Sequence, residues 1–233
     1  MIIEGPELSI VIPILNEAEL ITPALEKLQF LRNRGVEIIV VDGGSHDHSD
    51  VLAQPLADTV ISVEKGEATN RAKQMNLGAM HAKGRVLLFL HIDTELPSQA
   101  YKLILSAMEL PHVWGRFDVK LSGKNTLFRL IETLMNVRSG LTGIATGDQA
   151  IFVTRHAFEK VNGFSDIPIM EDVEISKKLR KQAFPVCLKD RVTTSSRRWE
   201  RKGIFKTIIL MWWLRALYFI GAHPRVIAKQ YNR

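Results

Sequence analysis

The sequence predicts an α/β fold, Rossmann-like, with a mostly parallel central sheet flanked by helices and an apolar helix near its C-terminal end. Three observations carry this. Short, unbroken apolar runs stand at 8–15, 36–41 and 86–90; they suit strands buried on both faces of a parallel sheet, although periodicity alone leaves a buried helix open. Between them lie stretches with apolar residues at helical spacing, so strand and helix alternate as in βαβ units. Each run also stops on polar residues: Asn16-Glu17, Asp42-Gly43-Gly44 and His91-Ile92-Asp93. In open α/β sheets ligands bind beyond the carboxyl ends of the strands.

Taken in order, LSIVIPIL (8–15) reads as the first strand. Leu20, Ile21, Ala24, Leu25, Leu28 and Leu31 then repeat at helical spacing. Val36 to Val41 is a second strand, Val60 to Val63 a short third, and Ala68 to Ala82 a helix leading into Val86–Leu90. Right-handed crossovers would bring the loops after Leu15, Val41 and Leu90 to one edge of the sheet. Further on, Trp114 to Val119 reads as a strand, Phe128 to Val137 as an amphipathic helix and Ser139 to Gly147 as a Gly/Thr-rich loop. Gly147-Asp148-Gln149 is expected to begin a strand, and Val173, Ile175 and Leu179 mark a helix opened by Glu171-Asp172.

With 233 residues, 46% hydrophobic and 24% charged, the chain is long enough for one large domain of ordinary globular composition. A single cysteine, Cys187, excludes an internal disulfide framework and a paired-cysteine zinc site, and its apolar neighbours suggest a buried thiol. The net charge of +6 favours anionic partners. The basic residues are dispersed until Arg197-Arg198, and acids stand at three strand or helix ends, so nucleic acid is not an expected partner. The first strand begins almost at once, without a basic leader or cleavage site, so a cytoplasmic protein is expected.

The polar strand exits each allow a functional and a plain reading. His91 and Asp93, two residues apart on a strand, point to the same side and could hold a divalent cation, or form only a polar exit. Asn16 and Glu17 could meet a nucleotide or cap the following helix. Asp42 could accept from a uracil imide or a guanine edge, or simply shape an Asp-Gly turn. Arg71 could meet phosphate or base, and alone is a solvated helix charge. Glu171 and Asp172 suit the positive end of a helix dipole.

The segments IVIPILNE, VDGGSHD, the helix carrying Arg71, Gln74 and Asn76, and FLHIDTELP resemble the nucleotide-binding half of family 2 glycosyltransferases, which have the GT-A fold. GDQAIFVTRHAFEKVNGFSDIPIMEDVEISKKLRK resembles the second half, and the likeness runs from about 8 to 201. The resemblance implies transfer of a sugar from a nucleotide-diphosphate sugar to an acceptor hydroxyl. It makes Pro13, Asn16, Glu17, Asp42, Arg71, Asn76, Asp148, Arg198 and Trp199 the expected donor-binding residues. Asp93 matches the last aspartate of the family's DxD metal motif, with His91 in place of the first acid. The implied cofactor is Mn²⁺ or Mg²⁺, and imidazole suits the former better. Asp172 matches the general base of inverting members, with Glu171 orienting it or contacting the acceptor.

Arg197-Arg198-Trp199 resembles, in reduced form, the arginine-tryptophan motif of polymerising members; the opening glutamine is absent, so processive synthesis is not supported. The expected layout is a catalytic domain over 1–201, its nucleotide half ending about 95 and its acceptor half running from about 96, followed by a helical extension over 202–233. In that extension GIFKTIILMWWLRALYFIGA (203–222) is strongly apolar, with Lys206 and Arg215 on opposite faces. It is expected to pack on the domain, with Trp212-Trp213 reaching a membrane surface at the inner face. The acceptor is then small or lipid-linked. The rivals are a non-catalytic nucleotide-sugar binder and a sugar-phosphate nucleotidyltransferase; LNEAEL lacks the Gly-rich basic loop that the latter needs.

Overall fold

The computed structural model describes residues 5–63, 69–109 and 111–231, apart from the side chains of Arg198 and Lys202. The first half builds β1 (Leu8–Ile14), α1 (Ala18–Glu26), α2 (Gln29–Arg32), β2 (Glu37–Asp42), α3 (Ser49–Ala53), β3 (Thr59–Ser62), α4 (Arg71–His81) and β4 (Val86–Phe89). Then come β5 (Thr94–Glu95), α5 (Ala100–Ala107), β6 (Trp114–Leu121), α6 (Thr126–Thr142), β7 (Phe152–Thr154), α7 (Arg155–Lys160) and α8 (Glu171–Arg180). The chain closes with β8 (Val186–Thr194), α9 (Arg197–Lys202), α10 (Ile204–Phe219) and α11 (Pro224–Tyr231).

All the strands join one sheet in the order β3-β2-β1-β4-β7-β6-β8-β5. β3, β2, β1 and β4 are mutually parallel, and only β7 and β5 run against the rest. Every residue of β1, β2 and β4 is buried, which is why these strands read as continuous apolar runs. Ile10, Ile12, Ile38, Val40 and Leu88 pack on one face with Ile21 and Leu25 of α1. Val11, Ile39, Val41, Leu87 and Phe89 pack on the other with Met75 of α4, Phe158, Phe164 and Leu179.

Three expectations are corrected. The helix predicted over 20–31 is two helices: the Lys27 N–H to Pro23 carbonyl bond is stretched to 3.4 Å, and the chain tightens to a Leu28-to-Leu25 bond of 3.0 Å before α2 begins. The loop predicted from Ser139 starts later, because Thr142 turns its hydroxyl back onto the Arg138 carbonyl at 2.8 Å and lets α6 continue. α6 stops only where Gly143 takes φ +64°, with its N–H on the Ser139 carbonyl at 2.9 Å. Gly147-Asp148-Gln149 is a single 3₁₀ turn closed by reciprocal bonds between Thr146 and Gln149, and the strand starts only at Phe152. In addition, Cys187 on β8 is half-buried rather than buried. Ala68, the predicted start of the α4 helix, lies outside the described residues.

β6 and α6 are fastened by buried polar groups. Arg116, wholly buried, pairs with Asp118 and donates to the Asn136 carbonyl at 3.1 Å, while Glu132 accepts from the Leu121 N–H at 2.6 Å. At the C-terminal end, Leu214 and Ile227 bury themselves against Ile144, Met170 and Val173. The Tyr218 hydroxyl donates to Glu174 of α8, so the tail is packed on the domain. Its outer side exposes Phe205, Ile209, Trp212, Trp213, Phe219 and Ile220. Among the described residues no helix is long and apolar enough to cross a membrane.

Candidate active site

The carboxyl ends of β1, β2 and β4 lie along one edge, and their exit loops are laced together. Asn16, at φ +53°, accepts from the His46 N–H at 2.9 Å and gives its own N–H to Ser45 at 2.8 Å. The first turn of α1 is capped by Asp47, which accepts from the Ala18 N–H at 2.9 Å. Glu17 makes no side-chain capping bond, so its carboxyl is left to the site. Burial raises its pKa, Arg197 opposes that, and Asp93 adds to it. Gln74 uses one amide nitrogen to bond both the Ile14 carbonyl at 2.7 Å and the Val41 carbonyl at 2.9 Å, holding the exits of β1 and β2 together.

Several expected donor residues are engaged in this scaffold. Asp42 is buried and accepts from the Gly44 N–H at 3.0 Å, the Ser45 N–H at 2.9 Å and the Ser45 hydroxyl. Its carboxylate thus helps to build the turn that follows β2. Pro13 is buried in β1 opposite Val41. Both ends of the Asn76 amide bond the backbone of Phe164, at 2.8 and 2.9 Å, so Asn76 pins the Asn162-Gly163-Phe164 turn. Trp199 packs against the Leu121, Phe128 and Ile131 cluster. The side chain of Arg198 lies outside the described ones. Arg71 stays half-exposed, with its guanidinium 3.8 Å from Glu171.

Around the β4 exit the residues do converge. His91 Nδ1 stands 3.4 Å from an Asp148 carboxylate oxygen. Burial lifts the pKa of Asp93, His91 opposes this, and Asp148 adds to it. Burial also works against the Asp148 carboxylate, but the His91 ring, with Arg71 and Arg215, outweighs it and holds its pKa below the usual range. The Asp93 carbonyl accepts from the Ser195 N–H at 3.1 Å, which sets the start of α9 beside it. Through that bond Arg197 joins the cluster, and its charge acts on both Asp93 and Glu17. The sequence singled out Arg197-Arg198-Trp199, with Arg198 and Trp199, not Arg197, among the expected donor residues.

On the other side of His91 sits the Glu171-Asp172 pair. Asp172 accepts from the Gly147 N–H at 3.0 Å and the Val173 N–H at 2.7 Å. Glu171 is buried, and burial first and Asp172 second push its pKa up to about 7, against the pull of Arg71. Gly147 touches both groups: a Cβ there would lie 2.4 Å from two atoms of the His91 ring. Two cavities meet at this point. A cleft of about 460 Å³ runs past Leu20, Leu28, Asp93, Thr194 and Arg197, and a small crevice of about 10 Å³ is bordered by Gly147, Phe164, Glu171 and Asp172; His91 lines both.

Among the described residues no three His, Cys, Asp or Glu side chains form a cluster able to hold a metal unaided. A cation of the Mg²⁺ type is usually held by one or two protein groups and completed by water and substrate phosphates. The His91 ring acts electrostatically on Asp93, and Asp148 stands on its Nδ1 side.

A family model described as Glycosyl transferase family 2 matches residues 9–161. An uncharacterized glycosyltransferase of Rickettsia prowazekii is 30% identical over 98 residues, covering 42% of this chain and 30% of that protein. Among solved structures, a mannosyltransferase from Pyrobaculum calidifontis in complex with GDP-Man and Mn²⁺ superposes at TM-score 0.60 with 19% identity, over 82% of this chain and 57% of the other. TarS 1–349 of S. aureus with UDP-GlcNAc gives TM-score 0.64 and 18% identity, over 81% and 58%. Glucosyl-3-phosphoglycerate synthase from Mycobacterium tuberculosis, with Mn²⁺, UDP and glucosyl-3-phosphoglycerate, gives 0.57 and 17%, over 82% and 71%. The chain thus spans less than a third of the curated relative and under two thirds of the first two structures, and at these identities the structural likeness establishes the fold.

Proposed function

The chain belongs to glycosyl transferase family 2, and from that premise we propose that it moves a sugar from a nucleoside-diphosphate sugar to an acceptor hydroxyl, with inversion at the anomeric carbon. The observation that carries this is Gly147, whose backbone bonds Asp172 while its bare Cα receives the His91 ring. A leaving-group side at Asp93 and His91 and a base side at Asp172 are thereby held across one glycine.

In this reading the donor lies against the exits of β1 and β2, with Asn16, Glu17, Arg71 and Arg197 toward its nucleotide and diphosphate. The acceptor oxygen attacks the anomeric carbon, the bond from that carbon to the diphosphate oxygen breaks, and the acceptor proton passes to Asp172. Asp93 and His91 would hold a divalent cation, which when bound offsets the charge gathering on the diphosphate. The nucleotide-sugar and Mn²⁺ complexes of the structural neighbours support this donor class. One observation favours a second assignment of the base: Glu171, with its pKa pushed to about 7, has the proton affinity suited to neutral pH.

The catalytic unit is assigned to 1–201, and the extension from 202 to a peripheral role at the cytoplasmic face of a membrane. The apolar outer side of α10, with exposed Lys206 beside Phe205, supports contact with anionic lipid and hence a lipid-linked acceptor. Replacing Trp212 and Trp213 by Ser should then reduce cosedimentation with anionic vesicles, and unchanged cosedimentation would remove the membrane role.

The test of the activity is a thermal-shift screen of nucleoside diphosphates and their sugars, with and without Mn²⁺. A ligand that binds only the native state raises Tm with concentration. A metal-dependent shift supports the reading, and no shift from any nucleotide would overturn it.

A further inference from the structure

α6 departs from the usual amphipathic pattern. Phe128, Ile131 and Ser139 turn inward and are buried, but the opposite side carries Leu130, Leu134, Val137 and Leu141, between 52% and 78% exposed. Their spacing of three and four residues keeps them in one stripe. Single surface leucines need no explanation, whereas a continuous apolar surface marks a contact with another body.

The stripe has a neighbour. α10 runs beside α6 in the same direction: Ile204 and Ile208 pack on its Phe128 and Ile131 end, and Leu214 packs on Ile144, just past its other end. Thr207 and Leu214 are the buried side of α10, so its exposed Phe205, Ile209 and Trp212 look the same way as the α6 leucines. The two rows make one apolar surface, two helices wide.

The charges of the same segments say what it meets. Of the acids within 122–142 and 196–231, Glu132 is buried and Glu200 accepts from the Ser196 hydroxyl at 2.9 Å. Lys124, Arg201, Lys206, Arg225 and Lys229 are exposed there. An apolar face with tryptophans and basic surroundings suits an anionic bilayer, whose headgroups take the cations and whose acyl boundary takes the leucines and indoles. A second copy fits less well, because a two-fold contact would set two basic segments against their own equivalents.

We propose that α6 and α10 together lie on an anionic phospholipid surface, with Leu130, Leu134, Val137 and Leu141 in the acyl boundary beside the exposed side chains of α10. The inference rests on the membrane role proposed for α10 and adds a second, parallel line of contact. One helix on a surface lets the domain roll about the helix axis; two side by side do not. Both also lead to the proposed base. α6 stops at Gly143 and the chain runs on to Gly147, whose N–H bonds Asp172 at 3.0 Å, while Tyr218 of α10 donates to Glu174 in the same helix as Asp172. Docking on both helices therefore sets the height and tilt of the acceptor side over the bilayer.

The experiment is cosedimentation of the full chain with vesicles of phosphatidylglycerol and phosphatidylcholine, against vesicles of phosphatidylcholine alone. Wild type should bind the anionic vesicles, and less so as salt is raised. Leu130→Gln, Leu134→Gln and Leu141→Gln combined should weaken that binding about tenfold or more, with Tm unchanged because all three are exposed. Leu141→Gln alone, at the most exposed of the four, should give about a threefold loss and carries the comparison if the triple variant is destabilised. Met80→Gln, at an exposed position on α4, should leave binding intact. Equal binding to both kinds of vesicle, or equal loss in Met80→Gln, would overturn the inference. The Trp212→Ser, Trp213→Ser variant reports on α10 by itself. If it loses binding while the leucine variants keep it, the membrane role of α10 stands and the inference falls. If wild type binds neither vesicle, the membrane role falls and takes the inference with it. Sedimentation velocity without lipid checks the other occupant: a wild-type dimer that the leucine substitutions convert to monomer, with vesicle binding unchanged, gives the face to a second copy and sinks the inference.

Discussion

Gly147 gives its N–H to Asp172 across 3.0 Å, and the same residue leaves no space for a side chain against the His91 imidazole. The two halves of the proposed chemistry are thus spaced by a backbone atom. Gly147→Ala would put a methyl group 2.4 Å from the ring atoms Cε1 and Nε2 of His91, so the ring or the turn must move. The expected outcome is a folded protein with Mn²⁺-dependent donor affinity and turnover both reduced, the latter on the order of 10²-fold, as for an ångström-scale misplacement. Calorimetry with the donor and Mn²⁺ tests this; unchanged donor affinity would show that His91 tolerates the shift.

Asp172→Asn keeps the shape and removes the proton acceptor. Donor binding should persist while turnover falls by on the order of 10²–10⁴. Glu171→Gln should cost less if Asp172 is the base. Should the order of the two losses reverse, the base is Glu171, whose pKa of about 7 already suits the task.

Glu171 also makes a prediction about stability. Its carboxyl, near 4.5 in an unfolded chain, is raised to about 7 in the fold, chiefly by burial. Across that window the native state holds more protons than the unfolded one, so this group's contribution falls as pH rises from 4.5 to about 7 and is level above. The loss is about 3 kcal/mol, with the pull of Arg71 already included. Glu171→Gln should therefore match wild type in Tm near pH 4.5 and exceed it near pH 8. Parallel Tm profiles for the two proteins would mean that Glu171 does not titrate in this window.

For the cation pair, Asp93→Ala should remove the Mn²⁺-dependent part of donor binding without unfolding the chain. His91→Ala should weaken the Mn²⁺ response more than the Mg²⁺ response, because imidazole suits Mn²⁺ better. Metal-dependent thermal shifts identical to wild type in both variants would move the cation elsewhere.

Legibility followed burial. β1, β2 and β4 are enclosed on both faces and announce themselves as apolar runs, and their polar exits are where the site's acids stand. β8 was hidden because Lys189, Asp190 and Arg191 are exposed and its register against β6 is broken between Phe117 and Asp118. The inner end of α6 was hidden because Ser139, Gly140 and Thr142 look like loop residues, although Thr142 bonds back along the helix. Asp42 and Asn76 carry the family's residue types, but their hydrogen bonds build turns. Arg138 bears on Asp172 and Arg215 on Asp148 through tertiary packing, for which no spacing in the sequence is a signal.

The bridge made by Gln74 works as a calliper. One nitrogen spends both hydrogens on two carbonyls from different strands, Ile14 and Val41. The gap between the first two loops is therefore set by a single side chain of α4, not by the loops themselves. Glutamate has the same length, but would set negative oxygen against two carbonyl oxygens and force the jaws apart. Loop sequences here can drift while the gauge between them stays constant, provided the residue at position 74 can donate twice.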